Sequence, residues 1–305
     1  MECLLNFNKN EKENMKSLKY FKYKEDRLPI LLITFFFIVD LAYFALVDQL
    51  SYLILWSILG IVIKAITAAW NHNHQHCNTF RVPILNRLIE IVFGMHTGIC
   101  GYTWVLHHNI GHHANFLDQS KDESHWMNAK GEKMMRLRYS FEIFITSYYR
   151  CFIVGLKHPK ILKKFITMVS ITLGLMIALT FYRPIPALII LWIPAILSLL
   201  ITSDSTYWHH SGLDTKDPMG ASRNSLDSLS YNKLLGNFGY HTAHHYKGGL
   251  HWTKLPALHE KIKHKIPKEC YRPPTLFFAT LDMLVSWTKK GLTIAEPDLT
   301  PKLED

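Results

Sequence analysis

The chain has 305 residues, 49% of them hydrophobic, and carries 34 Lys plus Arg against 24 Asp plus Glu. That length allows one large domain or two small ones, but apolar residues gathered into long runs argue against an ordinary soluble protein and for a membrane one. Five scattered cysteines (Cys3, Cys77, Cys100, Cys151, Cys270) without a CxxC pair argue against a disulfide framework or a thiolate zinc site. The mild basic excess fits faces solvated near anionic lipid, and no nucleic-acid partner is expected.

Residues 1–27 are polar and weakly basic, without the apolar core and small-residue cleavage site of a removable signal peptide. Residues 28–47 and 51–70 are nearly uninterrupted apolar stretches of about 20 residues, each enough to span a bilayer once. The Asp48-Gln49 break allows only a tight turn, so the two form a helical hairpin. Residues 82–106 carry Asn86, Arg87, Glu90 and His96 with Gly94, Gly98 and Gly101, which suits a re-entrant or interfacial helix better than a span. After a polar stretch at 114–138, residues 141–156 are amphipathic and expected at the interface. A second pair of spans is expected at 165–182 and 186–203, separated by Arg183-Pro184-Ile185, and the sequence beyond Thr206 is polar again.

Two hairpins return the N-terminus, residues 71–164 and residues 204–305 to one side. That side holds most of the Lys and Arg, so the positive-inside rule makes it cytoplasmic. The expected architecture is all-α: an integral membrane protein with four transmembrane helices in two hairpins and a cytoplasmic helical cap. Its expected divisions are an N-terminal segment (1–27), a membrane domain (28–260) and a C-terminal cytoplasmic tail (261–305). Two charges fall within spans. Lys64 lies about two turns from the cytoplasmic end of its helix and is expected to snorkel, whereas Asp40 lies deeper and is read as a hydrogen-bonded structural residue before a functional one.

The 18 histidines are clustered. In His72-Asn73-His74-Gln75-His76, a continuing helix puts His72 and His76 on one face and turns His74 away. In His107-His108-Asn109-Ile110-Gly111-His112-His113, His108 and His112 repeat the four-residue spacing. His113, about 100 degrees round the helix, is expected to reach a neighbouring metal. His107 fits a supporting or solvent-facing role. In His241-Thr242-Ala243-His244-His245, His241 shares a face with both His244 and His245. A fourth group, Tyr207-Trp208-His209-His210-Ser211-Gly212-Leu213, follows the last span, and helix geometry does not choose between His209 and His210. One isolated HxxxH is commonly just a pair of satisfied polar residues. Clusters brought to one membrane face by an independently derived topology point to metal binding. So many imidazoles exceed the needs of one tetrahedral zinc and suit two adjacent ions, and no glutamate beside His72 makes an HExxH zinc-protease pattern.

HNHQH (72–76), HNIGHH (108–113) and HTAHH (241–245) resemble the three histidine boxes, HxxxH, HxxxHH and HxxHH, of the membrane fatty acid desaturase superfamily, over about residues 28–260. The superfamily also contains alkane hydroxylases. HHNIGHH and YWHHSGL are similar to the alkane hydroxylase segments EHNxGHH and NYxEHYGL, in which the histidine before YGL, here His210, is a ligand. The chain departs from that pattern with His209 in place of glutamate and with His72-Asn73 in place of His-Glu. His251-Trp252 and Leu255-Pro256-Ala257-Leu258-His259 are more similar to desaturases.

The resemblance implies two iron ions held by His72, His76, His108, His112, His113, His210, His241, His244 and His245. It further implies O2 as co-substrate, hydrogen-atom abstraction from an unactivated C–H bond, and electrons from a separate donor of ferredoxin, rubredoxin or cytochrome b5 type. His158-Pro159-Lys160 is not the HPGG haem motif, so no fused donor is expected, and Lys254, Lys261, Lys263, Lys265 and Lys268 offer a basic docking surface. The expected function is a fatty acyl desaturase acting on a lipid or fatty acyl substrate. A hydroxylase, decarboxylase or other oxygenase on an alkyl substrate is the alternative. A histidine-rich metal transporter is a remote third reading, since transporter ligands belong near the bilayer midplane and these lie at the ends of the spans.

Overall fold

A computed structural model describes residues 20–273 and 275–292, so most of the expected segment 1–27 and the end of the expected tail 261–305 lie outside the described residues. Four helices are long and apolar enough to cross a membrane. Helices α1 (Arg27–Leu46) and α2 (Leu50–His76) form one hairpin. Between the hairpins come α3 (Pro83–Thr97), a π-helix (Trp104–His113) and α4 (Arg136–Leu156). Helices α5 (Pro159–Tyr182) and α6 (Pro184–His210) form the second hairpin, with a π-wound stretch at Leu188–Trp192 inside α6. The described residues include no strand, only isolated bridges such as Phe21 to Phe80.

Apolar side chains on the outer faces of the spans, among them Leu28, Leu31, Phe35, Leu55 and Ile58, are exposed, as lipid-facing residues must be. The inward faces meet in a cluster of Phe44, Leu53, Met95, Met176, Ile190 and Leu191. Met95 belongs to α3, and His96 beside it lies 3.8 Å from the Asp40 carboxylate, so the end of this helix enters the interior of the bundle. The segment is therefore re-entrant. Gly98 turns the chain back in a left-handed conformation (φ 66°), and a β-carbon there would lie 2.9 Å from the Ala195 carbonyl oxygen. The two outer turns are tied together by Arg183, whose guanidinium donates to the carbonyl oxygens of Phe44 and Val47 and to the Asp48 carboxylate.

Helices α2 and α6 pack along each other and continue past their apolar stretches to His76 and His210. These extensions, about 9 and 10 Å long, lift histidines above the apolar layer. Above them sit α7 (Leu229–Leu234), α8 (His241–Tyr246) and α9 (Leu255–Ile262). The expected division at 260 falls inside α9. Beyond it, Cys270 is buried with Ala243, Leu255 and Ile266, and α10 (Leu276–Leu292) docks on α7 through Asp282, which accepts from the Ser230 amide at 2.8 Å.

Lys64 does not snorkel. It is 2% exposed, its Nζ lies 2.8 Å from the Asp40 carboxylate, and it also donates to the Ile190 carbonyl oxygen. Trp56 donates to the other Asp40 oxygen at 2.7 Å. A charge two turns inside the bundle stays there because its partner is there too, and in so poor a dielectric each charge is the other's main compensation. Asp40 is thus a hydrogen-bonded structural residue that clamps α1 to α2, and through Lys64 to α6. We expect Lys64→Met to destabilise the folded protein by about 3 kcal/mol, because it strands the Asp40 carboxylate, and added Asp40→Asn to recover at least half of that loss. Unfolding midpoints in detergent for the two single variants and the double variant provide the check; a strictly additive double variant would show that the two charges are not coupled.

Candidate metal centre

The histidine layer is built where the inner ends of α2 and α6 meet the π-helix and α8. Helical spacing brings His72 and His76 to one face of α2, with ring centroids 4.6 Å apart. The π-helix changes what its box presents. Winding with i→i+5 hydrogen bonds is wider than an α-helix, and it brings His113, five residues on, to the His108 side together with His112. The Nε2 atoms of His108 and His113 lie 3.0 Å apart. The expected pairing of His108 with His112 on one ion is corrected accordingly: His113 joins His108, and His112 faces the neighbouring group.

One group consists of His72, His76, His108, His113 and His244, and the other of His112, His210 and His245, with the ligating atoms of each within 4.8 Å of one another. In the first, the Nε2 atoms of His72 and His108 approach to 2.8 Å and those of His113 and His244 to 3.0 Å. In the second, the Nε2 of His210 lies 3.2 Å from that of His112 and 3.1 Å from that of His241, which adjoins this group. The groups touch through the stacked rings of His113 and His245, 4.2 Å between centroids. Helix α8 thus serves both, sending His244 one way and His241 and His245 the other. All the sequence-expected ligand positions converge on this layer.

Sequence neighbours of these residues are turned elsewhere. His74 bonds Thr79 Oγ1 at 3.0 Å and Glu90 at 3.3 Å on the far side of α2. His209 has both nitrogens engaged, Nδ1 with the Ser205 carbonyl oxygen at 2.8 Å and Nε2 with the Tyr231 hydroxyl at 3.2 Å. His107 is buried outside both groups, and burial, aided by Arg150, pushes its pKa down to about 3. It does not face solvent. His251 bonds Asp26 at 3.1 Å and stacks on Tyr23.

The donor set fits transition-metal ions. His108, His113, His241, His244 and His245 are held well below the ordinary imidazole pKa, first by burial and then by neighbouring imidazoles, so they are neutral at physiological pH and keep a lone pair to donate. Both ring nitrogens of His245, and His76 Nε2, lack a hydrogen-bond partner although buried. Neutral imidazoles whose nitrogens converge, with buried atoms otherwise unsatisfied, suit cations that prefer nitrogen ligands.

Sequence reasoning missed Asp122. It is buried, and its carboxylate lies 2.8 Å from His112 Nδ1, fixing the ring so that Nε2 points at the second group. No motif spacing marks it. The loop that carries it crosses the π-helix at Gly111, where a β-carbon would meet Glu123 at 2.5 Å, and that glycine was the only local trace of the approach. His210 is oriented in the same way by a backbone carbonyl oxygen, that of Ala221, at 2.9 Å.

Four helices apolar enough to cross a membrane, with two adjoining histidine groups at one end, define a membrane protein with a candidate metal centre. Comparison narrows it further: the fatty acid desaturase family profile matches residues 50–275, and the chain belongs to that family. Membership makes it an oxidoreductase enzyme of the desaturase and hydroxylase kind. No curated protein and no solved structure matches the chain.

Two outcomes test the site by elemental analysis of purified protein. His210→Ala is expected to lose bound metal and His209→Ala to keep it, because only His210 has a nitrogen free to face the second group; the reverse outcome would move the ligand to His209. Asp122→Asn is expected to weaken metal retention about 10-fold to 100-fold in chelator competition, and unchanged retention would reduce Asp122 to a packing role.

Proposed function

We propose that the chain is an O2-dependent diiron fatty acyl desaturase that introduces a double bond into a lipid acyl chain. The observation that carries this reading is an apolar cavity of about 350 Å³ that ends on the histidine layer. Its walls include Ile61, Val62, Ala65, Ile201 and Phe238, and His72, His108, His210 and His241 border it. Ile61 and His72 stand about 16 Å apart along α2, so the space suits an extended alkyl chain better than a compact polar substrate.

His72, His76, His108, His113 and His244 would hold one iron, and His112, His210, His241 and His245 the other. Bound there, the pair would supply O2 activation and the power to take hydrogen from an unactivated C–H bond. The protein's own part is placement and exclusion. Trp104 and Phe238 stand edge-on to His72 at 5.2 Å and close the layer around the rings, and the apolar walls hold one methylene in a dry space facing the histidines. The histidines act as ligands and not as general bases, since a nitrogen lone pair given to a metal ion is not available to accept a proton.

The same site supports hydroxylation as a second reading, and the place of His210 favours keeping it, because that residue is the one whose ligand role comes from the alkane hydroxylase pattern. A transporter is disfavoured by histidine groups at the ends of the spans instead of midway along them. On our reading the histidine layer and both termini face the cytoplasm. Electrons arrive there from a separate donor of ferredoxin, rubredoxin or cytochrome b5 type that docks near Lys254, Lys261, Lys265 and Lys268; Lys263 is paired with Glu260. The membrane oxygenase unit is proposed to cover residues 28–260, with the chain before and after it as flanking cytoplasmic segments.

Expression in a host followed by lipid and hydrocarbon mass spectrometry separates the readings. The wild type is expected to contain close to two irons and to yield a product lacking two hydrogens, and His244→Ala to yield none. A product that gains one oxygen would select hydroxylation. Zinc as the only metal in protein made with ample iron, without any product, would sink the diiron reading.

A further inference from the structure

Beside the apolar cavity lies a second, smaller one of about 260 Å³, lined by Arg136, Tyr207, Trp208, Ser211, Arg223 and Arg272. Arg136 and Trp208 stand in the walls of both, so the two spaces adjoin. The three arginines are not equivalent. Arg136 is paired with Asp204. Arg223 is half-buried and pinned against the end of α6, donating to the carbonyl oxygens of Trp208 and Ser211, each at 2.7 Å. Capping those carbonyls accounts for Arg223 alone. It does not account for Arg272, which comes close enough that its charge, after burial, lowers the pKa of Arg223. Among the described residues no carboxylate forms an ion pair with Arg223 or Arg272, and the Arg272 side chain has no hydrogen bond. Two guanidiniums, the half-buried Arg223 and the exposed Arg272, therefore line one small cavity beside the apolar one, without a carboxylate partner among the described residues.

We propose that Arg223 and Arg272 bind the anionic head of the substrate, and that this head is a phosphate ester, with the alkyl chain running past Trp208 into the apolar cavity. Two adjacent guanidiniums present paired N–H donors that match the oxygens of a phosphate, and an anion there removes their mutual repulsion. Trp208 stands between the charged and the apolar space, where an amphipathic ring suits the junction of head and chain. The inference rests on the cavity being the acyl-chain site and adds the chemistry of the other end of the molecule: the enzyme takes a phosphate-bearing amphiphile, not a bare hydrocarbon.

Binding to the purified full chain in detergent, measured with hexadecyl phosphate and hexadecanol, tests this without any turnover. Wild type is expected to bind hexadecyl phosphate at least 10-fold more tightly than hexadecanol, with the difference shrinking as salt is raised. Arg272→Gln, which breaks no side-chain hydrogen bond or ion pair among the described residues, is expected to remove most of that difference while hexadecanol binds as before. Arg223→Lys, which keeps one charge but loses the fork, is expected to give an intermediate loss. Equal affinity of wild type for both probes, or an Arg272→Gln variant that still prefers the phosphate, would overturn the proposal. Lysophosphatidic acid and palmitoyl-coenzyme A, compared in the same assay, identify whether the Arg272-dependent phosphate belongs to a membrane lipid or to a soluble thioester. If hexadecyl phosphate binds as expected but no alkyl compound is ever oxidised, the oxygenase reading fails and the phosphate site stands. If alkyl compounds are oxidised but phosphate binding does not depend on Arg272, the phosphate site fails and the oxygenase reading stands.

Discussion

Bringing many neutral imidazoles to one place with their nitrogens facing each other is a costly arrangement, and most of the architecture serves it. Each ring loses water, and the lone pairs point at one another instead of at donors. Cations among the rings would turn that cost into coordination, but only if the rings already stand within a few ångströms of a common point. The fold meets this condition from four directions. Helices α2 and α6 rise out of the apolar layer, the π-helix comes back from inside the bundle, and α8 closes from above.

The winding of the π-helix matters most for how the layer is divided. An α-helix would stack His108 over His112 and leave His113 to one side. The wider winding brings His113 to His108 as well, with their Nε2 atoms 3.0 Å apart, while the Nε2 of His112 faces His210, so a single short helix feeds two groups that touch across the His113 and His245 rings. Asp122 and the Ala221 carbonyl oxygen then fix the rings of His112 and His210, which sets how these two nitrogens face each other within the second group.

Rigidity beneath the layer comes from polar groups within the spans. Asp40, Trp56, Lys64 and the Ile190 carbonyl oxygen link α1, α2 and α6 where hydrophobic packing alone offers little direction, because lipid is as apolar as the side chains. Two of these helices, α2 and α6, line the apolar cavity, and the arginines at its edge mark where it meets polar surroundings. The apolar cavity, the histidine layer that borders it and the arginine-lined cavity thus adjoin one another, the two cavities sharing Arg136 and Trp208.

The sequence by itself determined the class of this protein. Span number follows from the lengths of apolar runs, which backbone desolvation in lipid makes almost unambiguous, and the side on which histidines gather follows from the parity of those spans. The spacing of His72 and His76 shows which neighbours share a face, because α2 stays α-helical through its end. Tertiary structure decided the rest. Spacing does not report whether a box winds as α or π, so the grouping of His108, His112 and His113 had to be seen. His209 and His210 differ in which one finds its hydrogen bonds elsewhere; His209 meets the Ser205 carbonyl oxygen one turn back and the Tyr231 hydroxyl, and the second partner is a distant choice of the fold. Lys64 reads as a snorkelling residue until Asp40 arrives from another helix, and Asp122 reads as one more charge in a polar loop until that loop crosses Gly111. In each case the deciding interaction joins residues whose separation along the chain carries no period, and only packing brings them within reach.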